Sequence, residues 1–338
     1  MFTFAVITYN QQEVVLETLE SIKYQIENFG FGLDVQLVIA DDGSSDNTIS
    51  IINYWILKNA KLFKIININT SEKNAGISQN YIKAIKMIKG DTYKVIAGDD
   101  IFSKNNIFES ISKLEKYDFW ITGTLFFKNY KIIYEKKRYK NVFLFFDIKY
   151  KIIKRLYEFT FPFYVQGVFH KIRLIDKNAM NFIRRFKMVE DHPELYYITQ
   201  NNDELSISFS SIPYILYRES ESTVTKSDSK AHNILYNDIK CLYKLSIKKE
   251  KNLFYKYAIW CSYIAFQNSK LHRIIKYISP LSYYKIILAI KNKKTIKNRI
   301  DFLTKEEVNE NQTHIEYIYS KARKEYKEFF IKERQVIF

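Results

Sequence analysis

The 338-residue chain has two cysteines, Cys241 and Cys261. That is too few for a disulfide framework, and they lack metal-ligand spacing, so both are expected as reduced, partly buried thiols. The five histidines form no metal-binding cluster. Only His192 falls near a candidate site, where a structural or acceptor-side role is expected. No basic stretch precedes the short apolar run after Met1, which therefore reads as a first strand and not as a signal peptide. The longest uncharged stretch toward the C-terminal end, Tyr257 to Ser269, falls short of the about 20 residues that a helix needs to span a bilayer. These absences predict a cytoplasmic protein, peripheral at most on the inner face of the cell membrane. No internal repeat stands out.

Apolar residues make up 47% of the chain, enough for a sizeable core, and the length suits one large domain or two unequal ones. Charge is uneven. Residues 226–338 carry 24 Lys and Arg against 11 Asp and Glu, a net of +13, whereas residues 1–225 carry 29 against 26, a net of +3. A nearly neutral part joined to a strongly basic tail points to two tasks, and the domain division is expected at 225/226.

Residues 2–8 predict a buried strand. Val15, Leu19, Ile22 and Ile26 predict a helix over 12–27. A second strand, Asp34 to Ala40, runs into Asp41-Asp42-Gly43-Ser44-Ser45-Asp46, a turn in which Ser45 or Asp46 can cap a helix over 47–59. A third strand (62–68), a turn at Asn74-Ala75-Gly76, a helix (77–88) and a fourth strand (93–97) follow, ending at Gly98-Asp99-Asp100. This alternation predicts an α/β fold: a mostly parallel sheet with helices on both faces. Ligands of such sheets sit beyond the carboxyl ends of the strands, which is where Thr8-Tyr9-Asn10, Asp41-Asp42 and Asp99-Asp100 all fall. Further on, strands are expected within 118–134 and at 207–216. The stretch 141–158 is aromatic and basic, and Met188 to Pro193 opens a helix, with Pro193 suited to its first turn. From 230 onward, Tyr, Ile and Leu at helical spacing predict several amphipathic helices.

Two adjacent carboxylates at a strand end offer hard oxygen ligands for Mn²⁺ or Mg²⁺ and, through the ion, for a diphosphate. Taken alone, Asp99-Asp100 reads more readily as a solvated turn, Asp41-Asp42 as an Asx turn, and Glu190-Asp191 as acids favoured by a helix dipole. Together they supply what transfer from a nucleotide-linked substrate needs: a base-and-ribose pocket, a clamp on the diphosphate and a general base for a hydroxyl.

Val6-Ile7-Thr8-Tyr9-Asn10, Leu19-Glu20-Ser21-Ile22 with Gln25, Val38 to Thr48, Asn74-Ala75-Gly76 with Asn80, and Gly98-Asp99-Asp100 resemble, in order and spacing, the inverting family 2 glycosyltransferases with the GT-A fold, of the bacterial surface-polysaccharide type. The resemblance continues more loosely through Gly167, Glu190-Asp191 and Tyr217-Arg218, covering about residues 2–225. It implies a 1–225 transferase domain, with 1–100 binding the nucleotide sugar and 101–225 the acceptor. Thr8 and Tyr9 would line the nucleotide pocket. Asp42, with Asp41 beside it, would meet base or ribose, and Asn74 and Asn80 would lie near nucleotide or sugar. Asp100 would ligate Mn²⁺ or Mg²⁺, with Asp99 as its partner or on the ribose or sugar. Asp191 would be the catalytic base, with Glu190 its neighbour, and Arg218 would lie near the diphosphate. The implied partners are a nucleoside-diphosphate-sugar, UDP-linked by default, and a saccharide or lipid-linked saccharide acceptor. Three positions depart from the family pattern: Ile7 replaces a common Pro, Ala97 an extra Asp, and Glu219-Ser220-Glu221-Ser222 a segment that often contains His.

In the basic tail, Lys and Arg interleave with Tyr, Ile and Phe, as in Arg273 to Ile278 and Tyr283 to Leu288. Such helices suit an anionic membrane surface; a homo-oligomer contact or a solvated bundle would use the same composition. A pI near 9.4 also allows nucleic-acid binding, but no nucleic-acid motif is present and the excess charge lies away from the strand-end cluster, so no nucleic acid is expected. A sugar-nucleotide or polysaccharide binder without catalysis is the other alternative, and retention of both acidic pairs speaks against it.

Overall fold

The run Phe2–Thr8 contains no charged residue, as a strand buried on both faces requires, and it forms β1. The computed structural model describes residues 1–159, 162–219, 230–267, 271, 274–275 and 277–336. In it β1 lies within a parallel four-stranded sheet ordered β3-β2-β1-β4, with β2 at Val35–Asp41, β3 at Ile65–Thr70 and β4 at Thr92–Ala97. The crossovers are α1 (Val15–Phe29), α2 (Thr48–Asn59) and α3 (Ile77–Met87). Side chains alternate between the faces. Phe2, Phe4 and Val6 join Leu19 and Ile22 of α1 and Ile52 and Trp55 of α2 in one core. Ala5, Val38 and Ala40 meet Ala84 of α3 in another.

Two starts shift by three residues from the sequence expectation. Helix α1 starts at 15 because Gln11 to Val14 form a turn whose Gln11 carbonyl accepts from Val14 and Val15 N–H (3.0 and 2.9 Å). Strand β3 starts at 65 because Leu62 closes a 3₁₀ turn, Ala60–Leu62.

A second sheet follows, in the order β5-β9-β6-β7: β5 (Ile101–Phe102), β6 (Phe119–Lys128), β7 (Lys131–Ile133) and β9 (Ile207–Arg218), with β8 (Val168–His170) paired to β6. The strands expected within 118–134 are thus one long strand and one short one. β6 and β9 run parallel and shift register at Gly123, where a Cβ would stand 2.5 Å from the Ser211 carbonyl oxygen. Helices α4 (Glu109–Lys116), α5 (Lys136–Phe143), α6 (Tyr150–Phe159), α7 (Lys177–Ile183) and α8 (Asp191–Asn201) connect these strands.

The tail is helical as expected: α9 (Lys230–Lys249), α10 (Leu253–Gln267), α11 (Pro280–Lys291), α12 (Lys293–Phe302) and α13 (Val308–Val336). The expected division at 225/226, the Ser220-Glu221-Ser222 departure, and Arg273 and Lys276 lie outside the described residues. Helix α13 returns to the first sheet. Its Ala322 and Phe329 share the core of β1, α1 and α2, and Lys58 of α2 reaches Glu325 and Glu328 (2.5 and 2.8 Å). Among the described residues no helix is long and apolar enough to cross a membrane.

Candidate active site

The site is built at the carboxyl ends of the parallel strands. Thr8 ends β1 and donates its hydroxyl to Asp41 Oδ1 (2.9 Å). Asp41 is buried; its Oδ2 accepts from Gly43 N–H (3.1 Å) and Ser44 N–H (2.8 Å). Its carboxylate therefore folds its own loop. Asn10 ties that loop to the end of β1: its Oδ1 accepts from Ser45 N–H and its N–H donates to Ser44 Oγ (both 2.8 Å). Tyr9 stands beside this tie, 45% exposed and free to meet a flat ring. Neither expected residue takes the cap position of α2, which is Asn47, but Asp46 just before it accepts from the N–H of Thr48, the first helical residue (3.0 Å).

Asp42 faces the other way. Its two oxygens accept from Ala75 N–H (2.9 Å) and Gly76 N–H (2.8 Å), so it holds the turn on which Asn74 is exposed. Gly76 has φ +96°, and a Cβ there would stand 2.7 Å from the Lys187 carbonyl oxygen, which accepts from Ser78 N–H (3.3 Å). Glycine is required at this turn because the segment leading to Glu190 lies directly on it. Asn80 of α3 donates to the Ala40 carbonyl (2.7 Å), while its buried Oδ1 has no hydrogen-bond partner.

At the end of β4, Asp100 is buried and its Oδ1 accepts from Arg218 N–H (2.8 Å). Gly98 precedes the pair because a Cβ there would meet Gln11 Oε1 at 2.4 Å. Burial pushes both Asp99 and Asp100 above the usual carboxylate range, and the charge of Asp99 raises Asp100 further. The Arg218 side chain does not point into open space. Its Nε donates to the Asp99 carbonyl (2.7 Å), its guanidinium pairs with buried Glu17, and it lies over the Phe127 ring (4.5 Å). Nothing in the spacing singles out Glu17, an acid on the first turn of α1.

One cavity joins the distant acids. It is lined by Asp100 and the inner part of β4, by Glu190 and Asp191 at the start of α8, and by Tyr81, Lys94, His170, Glu194 and Tyr217. Burial, then the charge of Asp191, pushes Glu190 well up. Asp191 Oδ1 accepts from His192 N–H (2.7 Å). Thr8, Asp41, Asp42 and Asn80 border the neighbouring strand ends and do not line this cavity. The cavity wall also carries a buried polar network that sequence reasoning misses. Glu194 accepts from the Tyr81 hydroxyl and meets His170 Nε2, and Lys94 Nζ donates to the Val168 carbonyl (2.8 Å). Burial lowers the Lys94 ammonium to about 7 against the pull of Glu194, Asp100 and Asp191. A lysine inside the otherwise uncharged run Thr92–Ala97 was the available signal.

Among the described residues no three His, Cys, Asp or Glu side chains converge as a metal cage. Asp100 lines the cavity and its chain neighbour Asp99 does not; adjacent carboxylates of this kind match the site type in which Mg²⁺ or Mn²⁺ takes one or two protein oxygens and completes its shell with substrate phosphates and water. The donor set fits such an ion.

A family model described as Glycosyl transferase family 2 matches residues 3–184. The abequosyltransferase RfbV of Salmonella typhimurium is 31% identical over 107 residues, 32% of this chain and 30% of that protein. An uncharacterized glycosyltransferase of Mycoplasma genitalium is 32% identical over 121 residues, 35% and 37% of the two chains. The match thus spans about a third of the length of these relatives. Among solved structures, residues 1–349 of S. aureus TarS superpose with a TM-score of 0.57 in the complex with UDP-GlcNAc, over 99% of this chain and 91% of that one at 16% identity. At that identity the likeness speaks for the fold.

Proposed function

The chain belongs to glycosyl transferase family 2, and on that premise we propose that it is an inverting enzyme that moves a sugar from a nucleoside diphosphate to a saccharide hydroxyl, free or lipid-linked, in the assembly of a surface polysaccharide or oligosaccharide. The observation that carries this reading is the cavity lined by both Asp100 and the Glu190–Asp191 pair, which brings together the carboxylates read here as the diphosphate-side acid and the base. The TarS fragment was solved with UDP-GlcNAc and with UDP, which supports a uridine diphosphate donor.

On this reading Tyr9 meets the nucleotide base at the pocket rim. Asp41 and Asp42 act first through the two loops they hold, and present base and ribose with those loops' edges. Asn74 and Asn80 lie by the strand ends beside the cavity, and Asn80 Oδ1, buried without a hydrogen-bond partner, is the acceptor that a buried donor group of the ligand would satisfy. Asp100, with Asp99, would hold Mg²⁺ or Mn²⁺, which when bound would supply positive charge toward the diphosphate. Arg218, braced by Glu17, keeps the Asp99–Asp100 backbone in place beside it.

Asp191 removes the proton of the acceptor hydroxyl as its oxygen forms the bond to the anomeric carbon. The bond from that carbon to the diphosphate breaks on the opposite side, so an α-linked donor gives a β-linkage. Burial, then the neighbouring charge of Asp191, pushes the Glu190 carboxyl well above the usual carboxylate range.

Release of nucleoside diphosphate from a panel of nucleotide sugars, with and without a chelator, tests the reading. Asp191→Asn is expected to retain donor binding and to lose about 10²–10⁴-fold in transfer. Near-normal turnover in that variant removes Asp191 from the mechanism, and full activity in chelator removes the ion.

A further inference from the structure

Between Glu250 and Asp301 the chain has no acidic residue but eleven Lys and Arg. The described part of this stretch also turns apolar residues outward. In α10, Leu253, Tyr257 and Trp260 recur at i, i+4, i+7, with Leu253 82% and Trp260 45% exposed. In α11, Tyr283, Ile286, Ile287 and Ile290 recur at i, i+3, i+4, i+7, with Ile287 60% and Ile290 73% exposed. Each helix has its other side against the protein: Ala258 and Ile259 of α10 and Leu288 of α11 are buried. The two outward stripes adjoin. The Tyr257 and Trp260 rings stack at 6.2 Å, and the Tyr257 hydroxyl donates to the Ile278 carbonyl (3.3 Å) just before α11.

We propose that α10 and α11 form a docking surface for an anionic lipid bilayer, lying in the headgroup boundary with their Ile, Tyr and Trp side chains immersed. Two exposed apolar stripes side by side exceed the scattered apolar residues normal on a soluble surface. Trp and Tyr at the rim suit a boundary that is wet on one side. Exposed Lys251, Lys256, Lys291, Lys293 and Lys294 flank the stripes and lie where anionic headgroups would be. The occupant follows from the charge. A second copy would bring the same acid-free face against this one, and a two-fold contact would set like charges together. A nucleic acid has no use for outward isoleucines. The helices lie on the bilayer and do not cross it, in keeping with their length and hydropathy. The inference does not rest on the transferase reading.

Co-sedimentation of the full chain with vesicles of phosphatidylcholine, alone or mixed with phosphatidylglycerol, tests it without any turnover. The chain is expected to sediment with the mixed vesicles, weakly with the neutral ones, and less as salt rises. Replacing Ile286 and Ile290 together by Ser should weaken partition at least about tenfold, and Lys256→Gln or Lys291→Gln about fivefold each, with unchanged melting temperatures because all four side chains are exposed. Absence of binding to both vesicle types overturns the proposal. So does unaltered binding of the isoleucine variant, a dimer in light scattering that the same variant dissociates, or retention on RNA in place of vesicles.

Discussion

Glu194 has one carboxylate oxygen on the Tyr81 hydroxyl and the other on the His170 imidazole, and its N–H donates to the Glu190 carbonyl one turn earlier (3.0 Å). It thereby pins the start of α8 to α3 and β8 and fixes where Asp191 stands. Glu194→Gln keeps the size but loses the charge-assisted bond to the imidazole, worth about 1–3 kcal/mol in a buried site. The variant is expected to melt at a lower temperature and to lose roughly tenfold in kcat with donor KM nearly unchanged, because displacement of a reacting group acts on the chemical step. Steady-state kinetics would show it; a rise in donor KM with kcat intact would place Glu194 at the nucleotide instead. Residues of this kind mark the limit of legibility. Asp99-Asp100 and Glu190-Asp191 are visible as pairs at element ends, and the cavity does bring Asp100 to the second pair. Glu194 reads as one more acid in the first turn of a helix, because its partners are 24 and 113 residues away and no spacing records them. The same distance hides what Asp42 and Arg218 touch: a backbone turn and Glu17.

Elements were legible where periodicity is local. The first four strands and three helices follow from apolar runs, stripes and Gly-rich turns, and their shifts are confined to ends, where a turn or a 3₁₀ segment competes. The split of 118–134 into a long and a short strand, and the bulge at Gly123, depend on partners far along the chain. The return of α13 to α1 and α2 was not legible either, since an amphipathic helix does not state what it covers. One contact in that return can be titrated. His314 Nε2 meets the Phe102 carbonyl (3.0 Å) in a buried position, and burial lowers its imidazole from 6.5 to about 4. The folded state therefore prefers neutral His314. Its contribution is complete above pH 6.5 and is lost as pH falls from 6.5 through about 4, a span equivalent to about 3 kcal/mol. His314→Gln should flatten that part of the stability–pH curve measured by urea unfolding. An unchanged acid limb would show that His314 does not control it.

Across the whole molecule, the neutral part and the basic part are not two independent halves. Asp238 of α9 accepts from Lys187 and Met188 N–H (2.8 and 2.7 Å), the segment that leads to Glu190, and Phe329 of α13 completes the core of the first sheet. A chain ended after residue 219 loses both. It is expected to be insoluble or to unfold without a cooperative transition, although the family match ends at 184; a sharp, full-length-like melt for the fragment would contradict this. The uneven charge in the sequence suggests a second task for the tail, and on the bilayer proposal the acid-free stretch and the outward isoleucines are where it would lie. What charge counting does not reveal is that the tail also braces the site.

The measurement that bears most directly on the central claim is the thermal shift of wild type and Asp100→Asn with a panel of nucleoside diphosphates, each with and without Mn²⁺. A ligand held at 100 times its dissociation constant stabilises by about 2.7 kcal/mol, which is several degrees for a protein of this size. The account predicts that a diphosphate, uridine first, raises the wild-type melting temperature only with the cation, and that Asp100→Asn abolishes the shift while melting at or above the wild-type temperature without ligand, since a buried, repelled carboxylate has been neutralised. No shift with any diphosphate, or an equal shift in the variant, would contradict it.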